Sequence, residues 1–181
     1  TMIGAGLAVG LGCFGSGVGG GPAAAEACAG VARNPEKATM ISTTMMIGQA
    51  LAQSNSIFAT LIALMLLFVQ IPGTGLASIG IALGAGFAMG ASALGPGIGA
   101  GMTAGGAVRG QSNWPQSRPV IVRTMLIAQA ICGTPAIFGM LVAFMMLFIM
   151  QDLEPTIVGL AKVIAAGIAV GLGGIGPGIG C

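Results

Sequence analysis

A long apolar segment at residues 121–150 repeats an earlier one at residues 41–70, at an offset of 80 positions. Gln49 and Gln129 occupy matching places in the two copies, each inside its apolar segment. Each copy is longer than the roughly 20 apolar residues that a helix needs to cross a hydrocarbon core. The chain is therefore a tandem repeat, and each element is best understood beside its counterpart.

The composition is that of an integral membrane protein. Apolar residues make up 55% of the chain, charged residues only 6%, and the mean hydropathy is +1.00, so a water-covered surface cannot be built. Barrel strands would alternate polar and apolar residues over about 10 positions, and these segments do not. The net charge of +2, without a basic run interleaved with aromatics, argues against nucleic-acid binding. Apolar stretches predict an all-α, multi-pass fold, at residues 2–32, 39–71, 75–108, 119–150 and 156–181.

The repeat divides the chain into helical hairpins. Residues 1–72 form the first predicted hairpin, residues 73–152 the second, and residues 153–181 the first helix of a third. The third Gly-Pro-Gly-Ile-Gly motif ends one residue before Cys181, so we expect the chain to continue into another outer helix.

The four cysteines do not form a recognisable site. They include no CxxC pair, and the chain has no histidine, so neither a zinc site nor a disulfide framework is indicated. We expect the cysteines to be small buried side chains.

Glycine recurs at alternate positions in the first helix of each hairpin. In water this would indicate a loop, because glycine lowers helix stability by about 1 kcal/mol relative to alanine. In lipid the backbone must satisfy its own hydrogen bonds, so a helix is expected. A GxxxG pair builds one close face, whereas this alternation spreads small residues around the helix, as in the inner circle of a ring; a generic glycine-lined helix pair is the alternative. The predicted packing glycines are Gly15, Gly17, Gly19, Gly95, Gly97, Gly99, Gly176, Gly178 and Gly180.

Two polar connections, at residues 32–37 and 109–119, join the helices of each hairpin, and each contains a proline that stops a helix. Five of the six basic residues lie at or near these two loops. The positive-inside rule therefore predicts that both loops are cytoplasmic and that the opposite turns, residues 71–74 and 151–155, face outside. The five basic residues are Arg33, Lys37, Arg109, Arg118 and Arg123.

Three features together resemble the c-type proteolipid of rotary ATP synthases and ATPases: the alternate glycines, the Ala-Arg-Asn-Pro-Glu loop at residues 32–36, and a second helix running from Thr-Met through a polar midpoint to Leu-Leu-Phe. The resemblance implies a ring of copies of the chain, the c-ring, that turns in the lipid against an a-type stator protein and carries H⁺ or Na⁺. It implies no covalently bound cofactor and no catalysis by the chain itself. It also implies that the proline loops contact the central stalk, through Arg33, Asn34, Pro35, Arg109 and Pro115.

The chain departs from this family at the ion-binding carboxylate. The family's carboxylate position falls on Gln53 in the first hairpin and on Gly133 in the second, and its sodium-binding inner-helix glutamine falls on Gly20 and Ala100. Gly133-Thr134 is similar to the carboxylate-free hairpin of vacuolar-type proteolipids. These two hairpins are therefore expected to support an ion site without completing it, and the outer helix expected after Cys181 should carry Glu or Asp.

Polar residues near the middle of the outer helices are the candidate ion-site support. The alternative is that they form interhelical hydrogen bonds that fix the register of the ring, each contributing about 0.6 kcal/mol. We expect Pro135 to release an upstream carbonyl by breaking a helical hydrogen bond. The candidates are Gln49, Gln53, Ser54, Gln129 and Thr134.

The leading interpretation is a rotor-ring protein of an ion-translocating ATP synthase or ATPase. A passive pore or structural proteolipid ring is the alternative, and it predicts no acidic residue at the equivalent depth anywhere in the protein. A secondary transporter is less consistent with the sequence, because its folds often contain inverted repeats. These hairpins repeat in the same orientation.

Overall fold

The structure is a computed structural model and describes residues 1–69, 75–150 and 156–180. The described residues form five long helices and no strand, and all five are long and apolar enough to cross a membrane. The predicted all-α, multi-pass class is confirmed. The helices are α1 Met2–Arg33, α2 Ala38–Phe68, α3 Leu76–Asn113, α4 Arg118–Phe148 and α5 Ile157–Ile179.

The two hairpin loops have the same backbone geometry. Asn34 leaves the helical region with φ −135° and ψ 74°, and Trp114 does so with φ −130° and ψ 77°. Each precedes a proline, whose ring disfavours the helical conformation of the residue before it. A single 3₁₀ turn follows in each loop, Pro35–Lys37 and Pro115–Ser117. The sequence therefore sets the sharp reversal between the helices of a hairpin.

The helices form two rows, with α3 at the centre. Helices α1 and α5 pack on opposite sides of α3 to make an inner row, while α2 and α4 pack side by side against the same face of that row. Of the most apolar stretch of α3, 72% is buried, against 28–39% for the other helices. Helix α3 is thus the only described helix with inner-row neighbours on both sides.

Close backbone contact on both sides of α3 depends on its alternate glycines. A Cβ added at Gly97 would lie 2.5 Å from the backbone nitrogen of Ser16 on α1, and one added at Gly95 would lie 2.5 Å from the carbonyl oxygen of Ile175 on α5. Gly86, Gly90 and Gly101 likewise face the α1 backbone, and Gly84 and Gly99 face the α5 backbone.

Apolar side chains join the inner row to the outer row. Because lipid tails are as apolar as leucine, packing between such helices depends on van der Waals contact rather than on water exclusion. The main buried cluster includes Ala59, Ile62 and Leu66 of α2, Ile81, Ala85 and Met89 of α3, and Ala143, Met146 and Leu147 of α4.

The two hairpins run in the same direction. Asn34 Nδ2 donates a hydrogen bond of 2.9 Å to the carbonyl oxygen of Ser112, and Arg33 Nη2 donates one of 3.3 Å to Ser112 Oγ. Both proline-containing loops therefore lie at one end of the bundle. The predicted opposite turns at residues 71–74 and 151–155, the predicted hairpin limits within them, and Cys181 lie outside the described residues.

The expectation of buried cysteines is wrong for two of them. Cys132 is buried, but Cys13 and Cys28 are exposed. Their counterparts 80 positions later, Ala93 and Val108 on α3, are both fully buried. The difference arises because α1 has an inner-row neighbour on one side only.

Gly101→Ala should destabilise the folded chain in detergent by about 2 kcal/mol, because the added methyl group meets the backbone of Gly19. Gly106→Ala is the matched control on the same helix, since a Cβ there has nothing within 4 Å. The control should be neutral or stabilising by up to about 1 kcal/mol. Denaturant unfolding followed by circular dichroism measures both, and equal effects would contradict the glycine-dependent packing.

Candidate functional site

Gln129 is the most highly connected polar side chain at the midpoint of the outer helices. Its Nε2 donates hydrogen bonds to the carbonyl oxygens of Ala100 on α3, at 2.8 Å, and Gly48 on α2, at 2.9 Å. The side chain is 5% exposed, and its Oε1 has no hydrogen-bond partner in the described structure. One amide therefore joins three helices from two hairpins and leaves one buried acceptor free.

Gln49 makes half of the same arrangement in the first hairpin. Its Nε2 donates a hydrogen bond of 3.1 Å to the carbonyl oxygen of Gly20 on α1. This bond corresponds to the bond between Gln129 and Ala100, since both partners are displaced by 80 positions. Gln49 is only partly buried, because the described chain places no outer helix on that side of α2.

A cavity of about 180 Å³ separates α2 from α4 at this depth. Its polar lining comes from Ser54 and Asn55 on α2 and Gln129 on α4, and its walls include Leu51, Gly133 and Ile137. Gly133 is the position at which the resemblance predicted the family's carboxylate. The cavity thus occupies the expected depth of an ion site.

The cavity contains neutral hydrogen-bonding groups rather than charges. Ser54 Oγ donates to the carbonyl oxygen of Leu51 at 2.6 Å, and Asn55 Nδ2 donates to that of Ala52 at 3.3 Å. These donors are used within α2, so the side chains present mainly acceptor oxygens to the cavity. No group of three or more His, Cys, Asp or Glu side chains is found among the described residues. The cavity can accept hydrogen bonds or contribute neutral oxygens to a cation, but its lining cannot change charge.

The structure does not bring all five predicted support residues together. Ser54 and Gln129 line the cavity, Gln49 lies against α1, and Gln53 is exposed on α2. Thr134 is exposed and lines a separate groove between α4 and α5. The five residues therefore belong to three successive hairpin interfaces rather than to one site.

The carbonyl that Pro135 was expected to release is already hydrogen-bonded. Pro135 has no N–H to donate to Ile131, four positions earlier. Thr134 Oγ donates to that carbonyl oxygen instead, at 2.8 Å. Ser54 bonds to Leu51 in the same way one repeat earlier. The hydroxyl at this position replaces a backbone donor in α4.

Sequence reasoning missed two parts of the midpoint. Asn55 is 2% exposed and lines the cavity, although its counterpart in the second hairpin is a proline. Ser16 on α1 and Ser56 on α2 form a buried hydroxyl pair, and Ser56 also donates to the carbonyl oxygen of Gly12 at 3.3 Å. The signal available in the sequence was their position within an apolar segment, where an isolated hydroxyl or amide needs a partner.

The predicted stalk-contact residues lie at the loop end of the bundle. Arg33 and Asn34 use part of their hydrogen-bonding capacity to join the first loop to α3. Pro35 and Arg109 are exposed, and Pro115 is partly exposed. These positions leave the loops accessible at one end of the bundle.

The fold and the midpoint cavity define a class of integral membrane protein: tandem hairpins with glycine-packed inner helices and a polar site between outer helices. The family model for the ATP synthase C proteolipid matches this chain twice, over residues 3–66 and 83–146. The chain belongs to this ATP synthase proteolipid family. Membership implies assembly into a ring within an ATP synthase complex, and the resemblance seen in the sequence is confirmed.

Individual relatives, each an ATP synthase c-type proteolipid, are similar to this chain over the length of one hairpin. The protein from Mesomycoplasma hyopneumoniae is 46% identical over 69 residues, which are 38% of this chain and 67% of that protein. The protein from Clostridium acetobutylicum is 44% identical over 68 residues, or 38% of this chain and 83% of that protein. The chloroplastic protein from Antithamnion is 45% identical over 75 residues, or 41% of this chain and 90% of that protein.

Gln129→Leu should destabilise the isolated chain in detergent by about 1 kcal/mol, because two interhelical hydrogen bonds are lost. Gln53→Leu, on the exposed side of α2, is the control and should change the unfolding free energy by less than about 0.5 kcal/mol. Urea unfolding measures both variants. A Gln129→Leu chain as stable as the parent would show that the amide bridge does not contribute to folding.

Proposed function

We propose that this chain is a multi-hairpin rotor-ring protein that supports H⁺ or Na⁺ translocation, with the ion-binding carboxylate absent from these two hairpins. The observation that carries the proposal is the neutral cavity between α2 and α4. It lies at the carboxylate depth, includes Gly133 in its wall, and contains amide and hydroxyl groups only. Transport by a rotor requires a group that alternates between charged and neutral forms, so this interface supports the ring without carrying an ion itself.

The ring itself is supported by matching free surfaces at the two ends of the inner row. A Cβ at Gly6, Gly10, Gly17 or Gly21 of α1 would meet nothing within 4 Å. Their counterparts 80 positions later on α3, Gly86, Gly90, Gly97 and Gly101, all pack against the α1 backbone.

The free side of α5 supplies the complementary surface. Gly176 and Gly180 have no neighbouring helix within the described chain, and they correspond to Gly95 and Gly99, which pack against α5. The face of α1 and the face of α5 are thus the two halves of one repeated interface. Such a head-to-tail contact gives a ring when its rotation closes.

A carboxylate on only some of the hairpins lowers the number of ions carried per revolution. Moving one elementary charge requires about 2.3 kcal/mol per 100 mV. When the energy of ATP is divided among fewer ions, each ion can be driven against a steeper gradient. This ratio suits an ATP-driven pump better than a synthase working at low membrane potential.

The orientation proposal follows from the charges. Arg33, Lys37 and Arg109 lie at the end of the bundle that carries both proline loops, with Arg118 beside them. By the positive-inside rule this end is cytoplasmic. The loops there would contact the central stalk, and the outer helices would contact the stator and lipid.

Gly17→Leu should prevent ring assembly while leaving the individual chain folded, because position 17 is open within the chain but occupied in the proposed ring. Gly106→Leu is the control, since position 106 is open in both states. Native mass spectrometry of detergent-purified protein measures the ratio of rings to single chains. Rings of Gly17→Leu with normal yield would contradict the proposed head-to-tail interface.

Gln53→Glu should lower the membrane potential at which the reconstituted ATP-driven complex stalls, because the variant adds an ion per hairpin turn and so divides the ATP energy further. Gln53→Leu is the control for loss of the amide. An unchanged stalling potential with an intact, rotating ring would reject the mechanism. A parent complex that transports nothing on ATP addition would favour the passive proteolipid ring, which the uncharged cavity also fits.

A further inference from the structure

The interface between the two hairpins shows what a neighbouring outer helix contributes to the midpoint glutamine. Gln129 donates one amide hydrogen to its own inner helix, at Ala100, and the other to the preceding outer helix, at Gly48. The position of Gly48 must be small, because a Cβ there would lie 2.5 Å from Ala104 Cβ and 3.2 Å from Met125 Sδ. The corresponding residue one repeat later is Ala128, which is also small.

Gln49 has only the first of these two contacts. It donates to Gly20 on its own inner helix. The acceptor that would correspond to Gly48 belongs to an outer helix on the far side of α2, where the described chain places none. Gln49 is accordingly partly exposed, whereas Gln129 is 5% exposed.

From this comparison we propose that Gln49 is the hydrogen-bonding residue of the seam between two copies of the chain, where its second amide hydrogen binds a main-chain carbonyl of the neighbouring copy's outer helix. The inference rests on the ring of the proposed function. The same glutamine position then has two roles in one chain. Gln129 joins hairpins within a chain, and Gln49 joins one chain to the next.

The occupant of this surface is a second copy, for a reason visible on the inner row. The free glycines of α1 beside Gln49 match the α3 glycines that receive an inner helix, and the free glycines of α5 match those that insert. An inner helix of a second copy seated on α1 brings its outer helix beside α2, as α1 and α2 themselves sit beside α3 and α4.

Two native cysteines report on the same seam. Cys13 and Cys28 are exposed in the chain, while their α3 counterparts, Ala93 and Val108, are fully buried by the neighbouring hairpin. Formation of the seam should therefore protect both thiols from a maleimide. Cys132 is buried within the chain and is the internal control.

The test compares Gln49→Leu with Gln129→Leu in the full-length protein, with Gln53→Leu as the control. Each protein is measured twice: as dissociated chains, by urea unfolding, and as rings, by the temperature of dissociation and by site-resolved maleimide labelling. Gln49→Leu should shift the equilibrium at each seam towards free chains by about threefold, which is the worth of one interhelical bond in a membrane. It should also raise labelling of Cys13 and Cys28 in the ring fraction, without raising labelling of Cys132.

The two variants should show opposite patterns. Gln129→Leu should weaken the individual chain more than Gln49→Leu does, since it removes two bonds inside the chain rather than one. Rings of Gln49→Leu that dissociate and label like the parent would overturn the seam assignment while leaving the proposed function intact. A parent protein that forms no ring, with Cys13 and Cys28 fully reactive, would instead reject the proposed function on which the assignment rests.

Discussion

Contact between glycine backbones is the interaction on which this architecture depends. In lipid there is no hydrophobic gain from pairing two apolar helices, so association needs close van der Waals contact and hydrogen bonds. Glycines of α3 such as Gly95 and Gly97 supply that closeness on opposite sides of one helix, towards α5 and α1. Because both sides of α3 are used, the packing has a direction of propagation, and a third inner helix sits on α3 as α3 sits on α1.

The polar midpoint acts within this packed frame. An amide in hydrocarbon is costly without partners, and Gln129 meets that requirement by binding carbonyls of two other helices. The bridge holds α2 and α4 at a fixed register and leaves a cavity lined by neutral oxygens between them. A ring assembled from such hairpins has positions that resemble ion sites in location but differ from them in the absence of a titratable group.

Much of the fold could be predicted from the sequence, because the strongest signals were long and repeated. Apolar length gives the helices, Pro35 and Pro115 give the hairpin reversals, and the 80-residue offset gives the parallel arrangement. The grouping of site residues could not be predicted, since it depends on how each helix is rotated about its axis. Gln49 and Gln53 are one turn apart, yet only Gln49 reaches α1.

Solid-state NMR of rings reconstituted from a mixture of two differently labelled batches of the protein would test the head-to-tail arrangement most directly. The account predicts cross-peaks between Gly17 of one copy and Gly176 of another, seen only when the two labels are on different chains, because their counterparts meet within the chain at the α1–α3 interface. Cross-peaks from Gly17 to lipid acyl chains, with none to α5 of a neighbouring copy, would contradict it.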